Sequence, residues 1–102
     1  MTEENQNEVR VDAELQAIVP KYLANRAKDC DTIRQHVAAG AFADIKRLGH
    51  NMKGSGGGYG FEEISRLGAE IESCAMANQG DRLLELAGAL ADYLARVKPV
   101  YR

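Results

Sequence analysis

The distribution of proline constrains the fold of this chain more than any other sequence feature. Pro20 and Pro99 are its only prolines, so nearly the whole length between them lacks the residue that breaks helices. Apolar side chains recur there every three or four positions, which is the spacing of one helix face. No stretch of useful length alternates as a strand does. The sequence therefore predicts an all-α fold.

Glycine and turn residues divide the chain into four helical segments. These segments are expected at 22–39, 41–60, 61–78 and 81–97. Asp12 is the predicted N-cap of an earlier segment, which Pro20 interrupts or restarts, so a short extra N-terminal helix is also expected. Because short connections favour antiparallel neighbours, we expect an antiparallel, up-down-up-down four-helix bundle. Residues 1–11 are predicted to be a flexible leader and residues 12–102 to form the bundle.

Composition excludes several classes of protein. A length of 102 residues suits one domain, and 13 basic against 15 acidic residues argue against a nucleic-acid binder. No apolar run is long enough to span a membrane, and the polar stretch Met1–Glu8 is unlike a signal peptide. We therefore expect a cytoplasmic monomer. Cys30 and Cys74 are expected to be free thiols, with a disulfide between them as the alternative.

The segment between residues 54 and 60 violates the helical pattern, since five of its seven residues are glycine. Each glycine costs about 0.5–1 kcal/mol in a helix, and such a violation often marks a functional site. A flexible linker is one alternative, but Met52 and Tyr59 keep the apolar stripe going through the segment. A nucleotide-binding loop is another, but Ser55 stands where that motif needs lysine, and no strand precedes it.

A helical wheel places His50 nearly opposite the apolar stripe of its segment, so its imidazole is predicted to be exposed. Imidazole is a nucleophile in its neutral form, which is available near pH 7. Lys53 lies one turn later and could reach phosphoryl oxygens on the ring. The other residues on this side either add positive charge or leave the surface bare: Lys46, Arg47, Gly54 and Gly57.

The run His50-Asn51-Met52-Lys53-Gly54-Ser55, followed by Gly60, resembles the signature of histidine-containing phosphotransfer (HPt) domains. That signature is histidine, any residue, an apolar residue, lysine and glycine, with a second glycine six residues after the first. Met52 is a mild departure from the more usual leucine. The resemblance implies that His50 is the phosphoacceptor, that Lys53 supports the phosphoryl charge and that Gly54 gives the partner room. It further implies a partner-binding surface around the histidine, for which we predict Lys46, Arg47, Gly57, Gly58 and Gly60.

The resemblance also implies a mechanism and partners. HPt domains are phosphoryl carriers without an ATP site or kinase activity, so the chain is expected not to be an enzyme in its own right. The expected partners are response-regulator receiver domains and hybrid sensor histidine kinases. A receiver would supply the acceptor aspartate and Mg²⁺, so no cofactor and no metal site are expected in this chain.

Three other functions compete with phosphotransfer. A bundle that only binds regulators would not need His50, Lys53 and Gly54 together. A metalloprotein is disfavoured because His36 and His50 lie on different predicted helices and no Glu-x-x-His motif occurs. A histidine kinase dimerisation hairpin typically has an acidic residue after its histidine, where this chain has Asn51.

Overall fold

The computed structural model describes residues 7–102, which fold into four helices and a small two-stranded ribbon. The helices are α1 (Val19–Ala39), α2 (Phe42–Gly58), α3 (Glu62–Met76) and α4 (Gly80–Arg96), and the strands are β1 (Glu8–Val11) and β2 (Lys98–Tyr101). Each helix packs on its neighbours in sequence, and α1 also packs on α4. The predicted all-α, antiparallel four-helix bundle is confirmed.

The helix ends lie close to the predicted boundaries because the residues there suit a chain reversal. Gly40 ends α1 with a φ of 70°, and Asn78 occupies a positive φ of 55° between α3 and α4. Glycine and asparagine are the residues that enter this left-handed region most readily. Pro20 lies in the first turn of α1, where its missing N–H leaves no hydrogen bond unmade.

A single apolar core lies between the helices. Ile45 and Met52 of the predicted α2 stripe are buried, while Leu48 and Tyr59 of the same stripe are half-buried against the core. Within the described residues no polar or charged residue is buried. The buried side chains come from all four helices, from β1 and from the α2–α3 turn: Val11, Val19, Tyr22, Cys30, Ile33, Ile45, Met52, Phe61, Ile64, Leu67, Ile71, Ala75, Leu83, Leu86, Ala87 and Leu90.

The strand ribbon corrects the prediction that the chain has no strands. β1 pairs with β2 in parallel, from Glu8 opposite Lys98 to Val11 opposite Tyr101. Glu8–Val11 does alternate polar and apolar residues, but four residues are the shortest run that can indicate a strand, and Lys98–Tyr101 does not alternate. Residues 1–6 of the predicted leader lie outside the described residues, whereas Glu8–Val11 belong to the folded unit.

The extra N-terminal helix is a single 3₁₀ turn at Ala13–Leu15. Asp12 caps it as predicted, and its side chain accepts a hydrogen bond from the Glu14 backbone N–H at 2.9 Å. Both cysteines are free, Cys30 buried and Cys74 half-buried. Within residues 7–102 no helix is long and apolar enough to cross a membrane.

Candidate functional site

His50 lies on the outer face of α2. Its side chain is 65% exposed, while Ile45 and Met52 on the opposite side of the helix are buried in the core. The exposed position predicted from the helical wheel is confirmed. The imidazole is therefore accessible to the reactive group of another protein.

A carboxylate from α3 joins His50 to Lys53. The Nδ1 atom of His50 lies 3.1 Å from Oε2 of Glu72, and the Nζ atom of Lys53 lies 3.2 Å from Oε1 of the same carboxylate. Glu72 was not predicted from the sequence, since it is 22 residues away from His50 and nothing in the local pattern distinguishes it from other helix glutamates. We refer to His50, Lys53 and Glu72 as the site cluster.

The charge of Glu72 decides which imidazole nitrogen can act as nucleophile. The hydrogen bond from Lys53 is the main reason why the pKa of the Glu72 carboxyl is lowered, and the contact with His50 acts in the same direction. An ionised carboxylate only accepts hydrogen bonds, so Nδ1 of His50 must donate. In the neutral ring the lone pair is then on Nε2.

Glycines bring α3 close enough for Glu72 to reach the two side chains. A Cβ atom on Gly49 would lie 2.6 Å from the backbone nitrogen of Glu72, and one on Gly68 would lie 2.5 Å from that of Lys53. The hydroxyl of Ser65 also donates to the carbonyl oxygen of Lys53 at 2.5 Å. The two backbones therefore approach each other beside His50 at a separation that no larger residue would allow.

The glycine-rich end of α2 serves the fold at some positions and leaves the surface bare at others. A Cβ on Gly56 would lie 2.5 Å from the Ser65 backbone nitrogen, so this glycine belongs to the helix contact. Gly54 and Gly58 have open space where a Cβ would project, and Gly57 has its nearest neighbour at 3.9 Å. Because the helix continues to Gly58, the flexible-linker and nucleotide-loop interpretations are wrong.

Backbone conformation and packing explain why position 60 is a glycine. Its φ is 92°, and a Cβ there would lie 3.1 Å from the carbonyl oxygen of Arg10 in β1. The turn between α2 and α3 and the contact with the ribbon both favour glycine at this position. A contact between Gly60 and a partner stays a prediction.

Two further cations lie on the α2 surface one turn before the histidine. Lys46 and Arg47 are exposed, and they line a surface depression together with Ala43, His50 and Glu72. Arg47 also forms an exposed ion pair with Asp44 at 3.7 Å. Such pairs are weak in water, so Arg47 stays available to an anionic partner.

The other histidine, His36, lies in a different surface depression, which it lines together with Arg26, Asp29 and Asp44. His36 lies on α1, away from the site cluster in sequence, and no group of three or more histidine, cysteine or acidic residues suited to a metal occurs within residues 7–102. The site cluster contains a nucleophile, an ammonium group and a carboxylate. The imidazole nitrogen of this cluster can accept a group from another molecule.

A four-helix bundle with an exposed histidine on its second helix, next to a lysine, has the architecture of a histidine phosphotransfer module. The family model described as Hpt domain matches residues 6–99, and the chain belongs to this family. No curated protein and no solved structure gave a match. Family membership assigns the chain a phosphotransfer role in phosphorelays, as a phosphoryl carrier that interacts with receiver domains and kinases.

Proposed function

We propose that the chain accepts a phosphoryl group on Nε2 of His50 and exchanges it with the aspartate of a response-regulator receiver domain. The observation that carries this proposal is the exposed imidazole whose Nδ1 is hydrogen-bonded to Glu72 while Lys53 contacts the same carboxylate. A receiver or a hybrid sensor histidine kinase would be the partner. The direction of transfer depends on which partner carries the phosphate.

The proposed step is an in-line displacement at phosphorus. The Nε2 lone pair forms the N–P bond as the bond between phosphorus and the aspartate oxygen of the partner breaks, and the aspartate leaves as a carboxylate. Nδ1 keeps its proton, so the phosphorylated ring is an imidazolium hydrogen-bonded to Glu72. The return transfer reverses these bond changes.

The surroundings of His50 support docking of an acidic active site. Lys46 and Arg47 supply positive charge one turn before the histidine, and Gly54, Gly57 and Gly58 leave the surface after it without side chains. We expect the receiver to supply Mg²⁺, which would neutralise phosphoryl charge during transfer. We also expect the carrier to work in the cytoplasm, where it would meet receivers and kinases.

The test is a phosphotransfer profile of the purified chain against the receiver domains of its source organism. We expect acid-labile phosphate on the wild-type protein and none on His50→Gln, with the far-UV circular dichroism of both proteins the same. His36→Gln is the matched control and should accept phosphate normally. Label on His50→Gln, or no label on the wild type with any receiver, would contradict the proposal.

Lys53 is expected to assist the transfer without being essential to the fold. Its side chain is 47% exposed, and its ammonium group contacts Glu72 at the protein surface. Lys53→Ala should therefore slow phosphoryl transfer in rapid-quench measurements and leave the helical content unchanged. A wild-type transfer rate for this variant would remove Lys53 from the mechanism.

A further inference from the structure

We propose that Glu72 competes with the phosphoryl group on His50 for Lys53, and that this competition keeps the phosphate transferable by destabilising the phosphorylated state. This inference rests on the proposed function, because it concerns the same histidine after phosphorylation. In this role Glu72 sets the rate at which phosphorylated His50 transfers its phosphoryl group.

The geometry makes Lys53 the movable member of the site cluster and Glu72 the fixed one. Lys53 carries its ammonium group at the end of a long side chain that is 47% exposed, whereas the Glu72 side chain is only 19% exposed. The backbone of Glu72 also lies at the close helix contact with Gly49. The ammonium group can therefore turn towards a phosphoryl group, while the carboxylate stays in place.

Before phosphorylation, both carboxylate oxygens of Glu72 contact a nitrogen atom of the site cluster. Oε1 contacts the Lys53 ammonium and Oε2 contacts the His50 ring, so the carboxylate is neutralised by one cation. A phosphoryl group on Nε2 brings further negative charge to the same place. The protonated ring offsets one negative charge, but the carboxylate and the phosphoryl group together carry more negative charge than the ring and Lys53 can neutralise. Lys46 and Arg47, on the same helix, are the other charged groups that line this depression.

Glu72 weakens the N–P bond in a second way. Its hydrogen bond with Nδ1 keeps the phosphorylated ring in the imidazolium form, from which neutral imidazole leaves, whereas a ring without the Nδ1 proton would have to leave as imidazolate, a poorer leaving group. When the N–P bond breaks, its electron pair returns to Nε2 and the ring becomes neutral imidazole, with the proton still on Nδ1. Glutamine at position 72 has no charge with which to hold the imidazolium or the ammonium.

The experiment measures how fast the phosphorylated protein loses its phosphate without any partner. Wild type and variants are phosphorylated with phosphoramidate, the donor is removed, and ³¹P NMR follows transfer of the phosphoryl group to water. We expect Glu72→Gln to lose phosphate roughly two- to fivefold more slowly than wild type, the size of effect of one partly exposed charge pair. Glu70→Gln is the control, since Glu70 lies on the same helix and pairs with Arg66 and Arg82 instead.

A double-mutant cycle tests whether the effect passes through Lys53. If Glu72 acts by holding the ammonium group, the effect of Glu72→Gln should shrink when it is measured in a Lys53→Met background. An effect of the same size in that background would overturn the competition for Lys53. Loss of phosphate from Glu72→Gln at the wild-type rate would overturn the whole inference.

Failure of this inference can be told apart from failure of the proposed function. If wild-type protein shows no N–P signal that depends on His50, the proposed phosphoacceptor is wrong. If the signal is present but Glu72→Gln decays as wild type does, His50 remains the phosphoacceptor and only the role of Glu72 is refuted.

Discussion

At the scale of single residues, Glu72 connects two side chains that the sequence motif presents only as neighbours on a helix. His50 and Lys53 are one turn apart on α2, and the carboxylate from α3 contacts both. This contact fixes which ring nitrogen carries the proton, because an ionised carboxylate can only accept. The chemistry of the site therefore depends on a residue outside the motif.

The pH dependence of Glu72 tests this connection in the unphosphorylated protein. Lys53 lowers the pKa of the Glu72 carboxyl below its ordinary value of 4.5. The ion pair is therefore fully formed above that value and is lost as the pH falls through the lowered pKa of the folded protein. Lys53→Met should raise the Glu72 pKa, as measured by ¹³C NMR of the carboxyl group. An unchanged pKa would show that Lys53 does not contact Glu72 in solution.

Substitution of Gly54 tests whether docking needs a surface without a side chain at this position, separately from the effect on helix stability. Its missing Cβ would project into open space, so Gly54→Ala should stabilise the fold by roughly 0.5–1 kcal/mol through helix propensity. We expect the same change to slow transfer from a receiver several-fold, because the added methyl group lies on the proposed docking surface. Loading by phosphoramidate, which is much smaller than a receiver, should be unaffected.

Gly88→Ala provides the control for this experiment. Gly88 lies on α4 and also has open space where a Cβ would project. It should give a comparable gain in urea stability and no change in transfer from a receiver. Equal transfer rates for the Gly54 and Gly88 variants would show that the surface at Gly54 is not a docking surface.

At the scale of elements, the contact between α2 and α3 builds the site. Gly49 and Gly56 on α2 and Gly68 on α3 lie where the two backbones meet, and Ser65 bonds the Lys53 carbonyl across the same contact. Each of these residues faces the other helix at helical spacing. The contact sets the distance between the imidazole on one helix and the carboxylate on the other.

Gly68→Ala should disturb this contact directly. The new Cβ would lie 2.5 Å from the Lys53 backbone nitrogen, so the helices must move apart, which typically costs about 1–3 kcal/mol. Urea denaturation should show this loss, whereas Gly88→Ala should gain stability. We also expect the NMR signals of the His50 ring to shift as Glu72 moves away. A stability equal to wild type would mean that the helices tolerate a wider separation.

At the scale of the whole molecule, the two ends of the described chain are joined beside the bundle. The Arg102 N–H donates to the Val11 carbonyl at 2.9 Å, and the Ala13 N–H donates to the Arg102 carbonyl at 3.1 Å. Val11 is 2% exposed and belongs to the core. The ribbon therefore covers part of the core as well as pairing the two strands.

Removing residues 98–102 should lower the stability of the fold without preventing phosphorylation of His50. The deletion breaks the ribbon and exposes Val11, whose burial is worth roughly 1.5–3 kcal/mol, so the midpoint of urea denaturation should fall. His50 lies on the exposed face of α2, outside the ribbon, so phosphoramidate should still phosphorylate the folded fraction. An unchanged midpoint would show that the ribbon contributes nothing to stability, and loss of loading in folded protein would show that it supports the site.

Sequence periodicity and turn residues were sufficient to define the four helices and the exposed side of α2. The apolar stripe through Ile45 and Met52 had to face a core, so His50 on the opposite side had to face solvent. Gly40 and Asn78 marked chain reversals because they tolerate positive φ. These properties are set by neighbours within one or two helical turns, which is why they can be derived from the sequence alone.

The tertiary structure decided the features that join residues distant in sequence. Glu72 reaches His50 only because Gly49 and Gly68 let two helices approach closely, and the ribbon forms only because the chain ends meet. A carboxylate on one helix has no preferred partner until packing fixes the separation and rotation of its neighbour. The sequence alone therefore determined the helices and the exposed imidazole of His50. Packing between distant segments determined which nitrogen of that ring carries the proton and which carboxylate pairs with Lys53.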